Sequence, residues 1–155
     1  MDRLEELSAI EDIKRLKAKY FRTLDTKDWS GFASVFAPDA QMDMRAELRH
    51  QAGRNAGTLL QGRDPVLVGP DVITAFVSAA LPAELTSVHQ GYMPEIILTG
   101  PDSASGIWAM TDYLEQAGTG IHGYGHYHET YRRYGDTWLI QTLELRRIRV
   151  DTFED

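Results

Sequence analysis

Four β-compatible runs, Val88–Leu98, Ala104–Glu115, Gly123–Tyr134 and Trp138–Val150, follow one another with only short segments between them. Those segments, Gly100-Pro101-Asp102, Gln116 to Gly120 and Tyr134 to Thr137, are rich in turn residues and too short for the crossover that parallel neighbours need. The second half of the chain is therefore expected to form an antiparallel sheet, each strand pairing with the next. Strands collected in one half and helices in the other give an α+β class, with the helices on one face of the sheet. A chain of 155 residues, 43% of them hydrophobic, fills one core, so 1–155 is read as a single domain.

The helical half is legible from periodicity. Leu4, Leu7, Ile10, Ile13, Leu16, Tyr20 and Leu24 recur at spacings of three and four, which predicts one long helix with a buried face. Glu5, Glu6, Glu11 and Asp12 suit its early turns. A second, short helix is expected over Asp28–Phe36, with Trp29, Phe32, Val35 and Phe36 inward and Ala37-Pro38-Asp39 as its stop. Met42 and Met44 hint at a strand. The polar, glycine-containing stretch from Arg49 to Leu67 is expected to be a mobile loop or lid. After Gly69-Pro70-Asp71, a third helix is expected over Val72–Leu81, ended by Pro82.

Charge and composition exclude several functions. Sixteen basic against 23 acidic residues leave a net charge of −7, which gives no footing for a phosphate backbone or an anionic membrane. Arginines cluster near the C-terminus, but acidic residues are interspersed among them. The absence of cysteine removes disulfides, thiolate catalysis and Cys-ligated metal. The charged N-terminal stretch is neither a secretory apolar region nor a membrane span, so a soluble cytoplasmic protein is expected. No glycine-rich phosphate loop, dinucleotide fingerprint, HExxH or serine elbow occurs, and no cofactor is expected.

What remains is a sparse set of polar side chains laid over apolar patterning. Tyr20 and Asp25 are five residues apart, about 140° on an ideal helix. They can share a cavity only if Asp25 sits at or past the helix end, where a capping role is the alternative. His89 opens the first strand of the sheet, and Pro94 within that strand implies an edge or a bulge. Alternation places Trp108, Met110 and Asp112 on one strand face, where a carboxylate must be paired, hydrogen-bonded or shifted in pKa; the alternative is a solvent-facing Asp112 with Ile107, Ala109 and Tyr113 inside. In the next strand Tyr124, His126, His128 and Thr130 share one face, and Tyr127, Glu129 and Tyr131 share the other. Two histidines without a third ligand are a weak basis for zinc, and solvent-facing pairing is the competing reading.

With these residues in place the chain resembles the SnoaL-like branch of the NTF2-like superfamily, the group of scytalone dehydratase, bile acid 7-alpha-dehydratase and lindane dehydrochlorinase. The resemblance covers nearly the whole chain. It is carried by Tyr20 to Asp25, by Trp29 to Ala40, by the His89 and Asp112 strands and by Gly125 to Arg133. It implies a cone, a curved mixed or antiparallel sheet wrapped on three helices from the N-terminal half, with a pocket at its open end and a dimer or trimer as the assembly. Tyr20, Asp25, His89 and Asp112 match the places of the dehydratases' catalytic residues. Arg133 matches a basic residue of the dehydrochlorinases, whose lysine falls at Tyr20 here.

The resulting expectation is a cofactor-independent lyase of the dehydratase type, acting on a small hydrophobic, ring-bearing molecule such as a steroid, terpenoid or polyketide. His89 would take a proton from carbon while Asp25 orients the imidazole. Tyr20 would bond the developing oxyanion or leaving hydroxyl, and Asp112 would act as a second acid or tune the tyrosine. Trp29, Tyr92, Trp108 and Met110 are expected in the apolar wall, with Arg133 beside the substrate. A ketosteroid-isomerase-like isomerase and a non-catalytic binding or assembly protein are the alternatives.

Overall fold

A computed structural model of the chain describes residues 2–50 and 59–154. Helix α1 (Arg3–Asp25) begins at Asp2, whose carboxylate accepts from the backbone N–H of Leu4 and Glu5 while Glu5 reaches back to the Asp2 N–H. This reciprocal cap satisfies donors that have no intrahelical partner. The helix ends at Thr26, and Lys27 follows with φ of 58°. That left-handed residue turns the chain so that Asp28 caps the short helix α2 (Trp29–Ala33) through Gly31. Asp25 is thus the last helical residue, free to aim away from the helix face that carries Tyr20.

The remaining elements are β1 (Phe36–Asp43), α3 (Arg45–His50), β2 (Val66–Val68), α4 (Pro70–Ala80), β3 (Thr86–Gly100), β4 (Ser103–Gln116), β5 (Thr119–Tyr134) and β6 (Thr137–Glu154). One six-stranded sheet runs in the order β2-β1-β6-β5-β4-β3. The four long strands pair antiparallel as expected, and only β1 lies parallel to its neighbour, β6. The curved sheet and the helices packed against it form an NTF2-like cone. Ile13, Leu24, Phe32, Val35, Ile73 and Ile140 are fully or almost fully buried between the layers. Each such side chain contributes about 1.5–3 kcal/mol relative to an exposed one.

Several boundaries differ from the sequence reading. The second helix stops at Ala33, and Phe36 through Asp43 form β1, with Pro38 lying where the β1–β6 pairing breaks between Phe36 and Gln41. A strand tolerates proline where no ladder hydrogen bond is needed. Helix α3 was not anticipated. The expected lid falls partly on 51–58, outside the described residues, and its remainder includes β2. On α1, Leu4 and Leu7 are 76% and 54% exposed, while Lys17 is completely buried. The buried stripe is therefore Ala9, Ile13, Lys17, Tyr20 and Leu24, with a lysine in its middle.

Register positions the site. His89 pairs with Asp112, and Asp112 with Gly123, so the three form a row across β3, β4 and β5. On β6, Leu143, Leu145 and Arg147 alternate inward. A shift between Tyr124 and Gly125 places Ile148 as an extra, outward residue and leaves Arg147 beside that row. A second shift, around Met93 and Pro94 on edge strand β3, is the bulge expected from the proline.

Candidate active site

Asp25 and His89, far apart in sequence, meet at the junction of α1 and β3. Asp25 accepts three hydrogen bonds: from the His89 backbone N–H at 2.7 Å, from Ser87 Oγ at 2.9 Å, and from His89 Nδ1 at 2.6 Å. Lys27 Nζ donates to Ser87 Oγ at 2.9 Å, so a cation backs the carboxylate through a hydroxyl. Burial pulls the Lys27 amine below its usual range, and the Asp25 charge opposes this. Because an ionised carboxylate only accepts, the proton of neutral His89 resides on Nδ1. Nε2 is then the basic nitrogen, and His89 is one of the residues lining an apolar cavity.

Beside that nitrogen lies a buried ionic cluster. Asp112 Oδ2 is 3.9 Å from His89 Nε2, and both Asp112 oxygens accept from Arg147 Nη1 and Nη2, at 2.9 and 2.7 Å. Arg147 Nε donates to Glu47 of α3 at 2.8 Å. Burial alone would lower the guanidinium, but the Asp112 bonds and the Glu47 charge more than offset it and hold Arg147 above its ordinary value. Asp112 is thus a carboxylate committed to a bidentate pair.

Tyr20 of α1 and Tyr127 of β5 line the same cavity as His89. Their rings meet edge to face at 5.9 Å between centroids. Burial, assisted by the Glu129 charge, raises the Tyr20 phenol, and burial raises Tyr127 likewise. Both remain protonated donors at neutral pH.

The cavity measures about 140 Å³ and is walled by Leu24, Met42, Phe76, Leu81, Leu85 and Leu145 among others. His89, Asp112, Arg147 and Glu47 form one polar part of its lining. Farther along β4 it reaches Leu114 and the exposed Gln116, toward the β4–β5 turn. Among the described residues no group of three or more His, Cys, Asp or Glu side chains is arranged to hold a metal. No described helix is long and apolar enough to cross a membrane.

Of the residues singled out from the sequence, the structure brings Tyr20, Asp25, His89 and Asp112 together. It places none of Trp29, Tyr92, Trp108, Met110 or Arg133 on the cavity wall. Trp29 packs against Phe32. Tyr92 lies an odd number of residues from His89 and so faces outward, bonding Gln90 and Thr111 at 43% exposure. Trp108 and Met110 do point inward, with Asp112, but sit in the core beneath the cavity. Arg133 pairs with exposed Asp102 near the β5–β6 turn. His126 and His128 belong to the more exposed face of β5, His126 opposite Arg146 and His128 opposite Glu144.

The residues that reasoning from sequence missed are Arg147, Glu47, Tyr127, Ser87 and the buried pair of Lys17 and Glu129. Arg147 was signalled by its alternation with Leu143 and Leu145. Glu129 was signalled by sharing a face with Tyr127 and Tyr131.

Comparison with known proteins agrees with this architecture. The chain is 29% identical over 143 residues to the probable cyclase FGR4 of Gibberella zeae, covering 88% of this chain and 89% of that one. It superposes on a hexachlorocyclohexane dehydrochlorinase, LinA type 2, with a TM-score of 0.80 at 15% identity, over 98% of this chain and 93% of the other. A Novosphingobium aromaticivorans protein classed provisionally as a scytalone dehydratase gives a TM-score of 0.77 at 15% identity, over 97% and 91% of the two chains. The SnoaL-like domain matches residues 5–144, and the chain belongs to that family, within the NTF2-like superfamily.

Proposed function

We propose that this protein is a cofactor-independent lyase of the dehydratase type, which removes water from a small, neutral, ring-bearing ketone or alcohol. The observation that carries the reading is the His89 imidazole, fixed through Nδ1 by Asp25 and lining the apolar cavity with its other nitrogen basic. An imidazole so held is a general base. An apolar cavity of about 150 Å³ accommodates benzene, so the 140 Å³ here suits one six-membered ring.

A β-hydroxy ketone is the simplest substrate for such an elimination. His89 Nε2 takes the proton from the carbon beside the carbonyl, and the C–H electron pair moves into an enolate whose oxygen accepts a hydrogen bond from the Tyr20 hydroxyl. The enolate then expels the β-hydroxyl, which leaves as water with the proton returned from the imidazolium, and a conjugated C=C forms. Asp25 and Asp112, on either side of the ring, stabilise the imidazolium while it exists.

The experiment is a screen of six-membered β-hydroxy ketones for the ultraviolet absorbance of the conjugated product. Turnover above buffer by the protein, lost in His89→Ala, is expected. Equal rates in both contradict the assignment. A second reading, ring closure by the same base, is favoured by the relative named as a probable cyclase. It predicts products that retain every atom of the substrate, or lose water only after a new ring bond has formed.

A further inference from the structure

Behind the cavity wall lies a buried ionic group that the proposed reaction does not use. Lys17 is completely buried on α1, one turn before Tyr20. Its ammonium donates to Glu129 Oε1 at 2.5 Å. It also stands 3.7 Å above the Tyr20 ring centroid and 3.6 Å from that of Tyr127. Glu129 is held in turn by the Tyr131 hydroxyl, which accepts from Trp108 Nε1 at 2.8 Å. None of Lys17, Glu129, Tyr131 and Trp108 lines the cavity, but the two rings that sandwich the ammonium do.

We propose that Lys17 is a positioning residue of this site: its ammonium, anchored by Glu129, fixes the rings of Tyr20 and Tyr127 and keeps their hydroxyls strong hydrogen-bond donors toward a developing oxyanion. The inference rests on reading the cavity as a proton-transfer site and adds the group that sets the strength of its donors.

A buried ion pair is weak evidence for stability, because well-packed apolar side chains commonly serve as well or better. Its placement here has a more specific consequence. A cation against the face of an aromatic ring is attracted to the π electrons. Such a cation also favours the electron-rich, partly ionised form of a phenol, which strengthens its O–H as a donor. Glu129 acts in the opposite sense, raising the Tyr20 phenol. The ammonium therefore offsets a carboxylate that would otherwise weaken both donors. The groups facing Lys17 are Tyr20 and Phe21 on its own helix and Tyr127 and Glu129 on β5, with Tyr131 and Trp108 behind Glu129. Burial lowers the Lys17 amine to about 8 against the pull of Glu129, so the charge can be switched within an accessible pH range.

The test uses the whole protein carrying lysine labelled with ¹⁵N at Nζ and tyrosine labelled with ¹³C at Cζ, titrated by NMR from about pH 6.5 to 9.5. Tyr20→Phe and Tyr127→Phe assign the two phenol resonances. Both are expected to move with the midpoint of Lys17 Nζ, at constant near-ultraviolet circular dichroism, and to stay still in the Lys17→Met/Glu129→Gln double variant. Phenol resonances that ignore the Lys17 titration, or that move identically in the double variant, overturn the proposal. If the double variant does not fold, coincidence or non-coincidence of the midpoints in the unmodified protein decides alone. No substrate enters this experiment, so its outcome is separate from that of the His89→Ala comparison.

Discussion

A Cβ on Gly123 would lie 1.9 Å from Arg147 Nη1 and 2.1 Å from Asp112 Oδ1, so the guanidinium of β6 occupies the space that a side chain on β5 would fill. The missing side chain is what lets a buried bidentate pair form beside His89. Gly123→Ala must displace that pair or the backbone, at a cost of about 2–4 kcal/mol. Urea unfolding reads the loss, and an unchanged midpoint would show that the pair does not depend on this glycine.

The two arginines that sequence and structure respectively bring forward separate cleanly. Arg147→Met removes the cation bonded to the buried Asp112 and Glu47 carboxylates and should cost about 3–5 kcal/mol. Arg133→Ala removes an exposed pair with Asp102 and should change stability by less than about 1 kcal/mol. Comparable losses in the two variants, measured by urea unfolding, would argue against the buried cluster.

The tautomer of His89 is open to direct observation. With Nδ1 donating to Asp25, ¹⁵N chemical shifts of the neutral ring should identify Nδ1 as protonated and Nε2 as bare. In Asp25→Asn that preference should weaken, because an amide offers a donor as well as an acceptor. A neutral ring protonated on Nε2 in the unmodified protein would place the basic nitrogen on the wrong side.

Lys17 gives stability an unusual pH dependence. Its folded-state value of about 8 lies below that of an unfolded lysine, about 10.4. Between those values the unfolded chain holds a proton that the folded chain has released, so stability rises with pH, by at most about 1.4 kcal/mol per unit. Above about pH 10 the sign reverses, because unfolded tyrosines ionise there while burial holds Tyr20, Tyr127 and Tyr131 protonated. Relative to Lys17→Met/Glu129→Gln, the melting temperature of the unmodified protein should rise from pH 8 to 10 and then hold that advantage, while both proteins lose stability as the unfolded tyrosines ionise. A flat difference across the interval would contradict the buried ammonium.

Much of this was legible in the sequence, for identifiable reasons. Short turns forced the four long strands into antiparallel neighbours, and β-alternation put Trp108, Met110 and Asp112 on one face, which the structure turns inward. Hydrophobic periodicity found α1 and, in Ile13, Tyr20 and Leu24, most of its buried face, but not Lys17. Leu4 and Leu7 lie exposed, and Lys17 enters the core because Glu129, 112 residues away, meets it there. No local pattern announces a pairing of that range. Arg147 alternates with the inward Leu143 and Leu145, but it sits among Arg146 and Arg149, whose exposed charges give no sign that one guanidinium of the cluster is buried. Tyr92 stands an odd number of residues from His89 on the same strand, a parity that places it on the outer face.

The central claim is that His89 Nε2 abstracts a proton from carbon inside the cavity. The most direct measurement is the rate at which the protein exchanges α-hydrogens of a cyclohexanone-sized ketone for solvent deuterium, compared with His89→Ala. Exchange should be about 10²- to 10⁴-fold slower in His89→Ala. Equal exchange by the two proteins would contradict the claim.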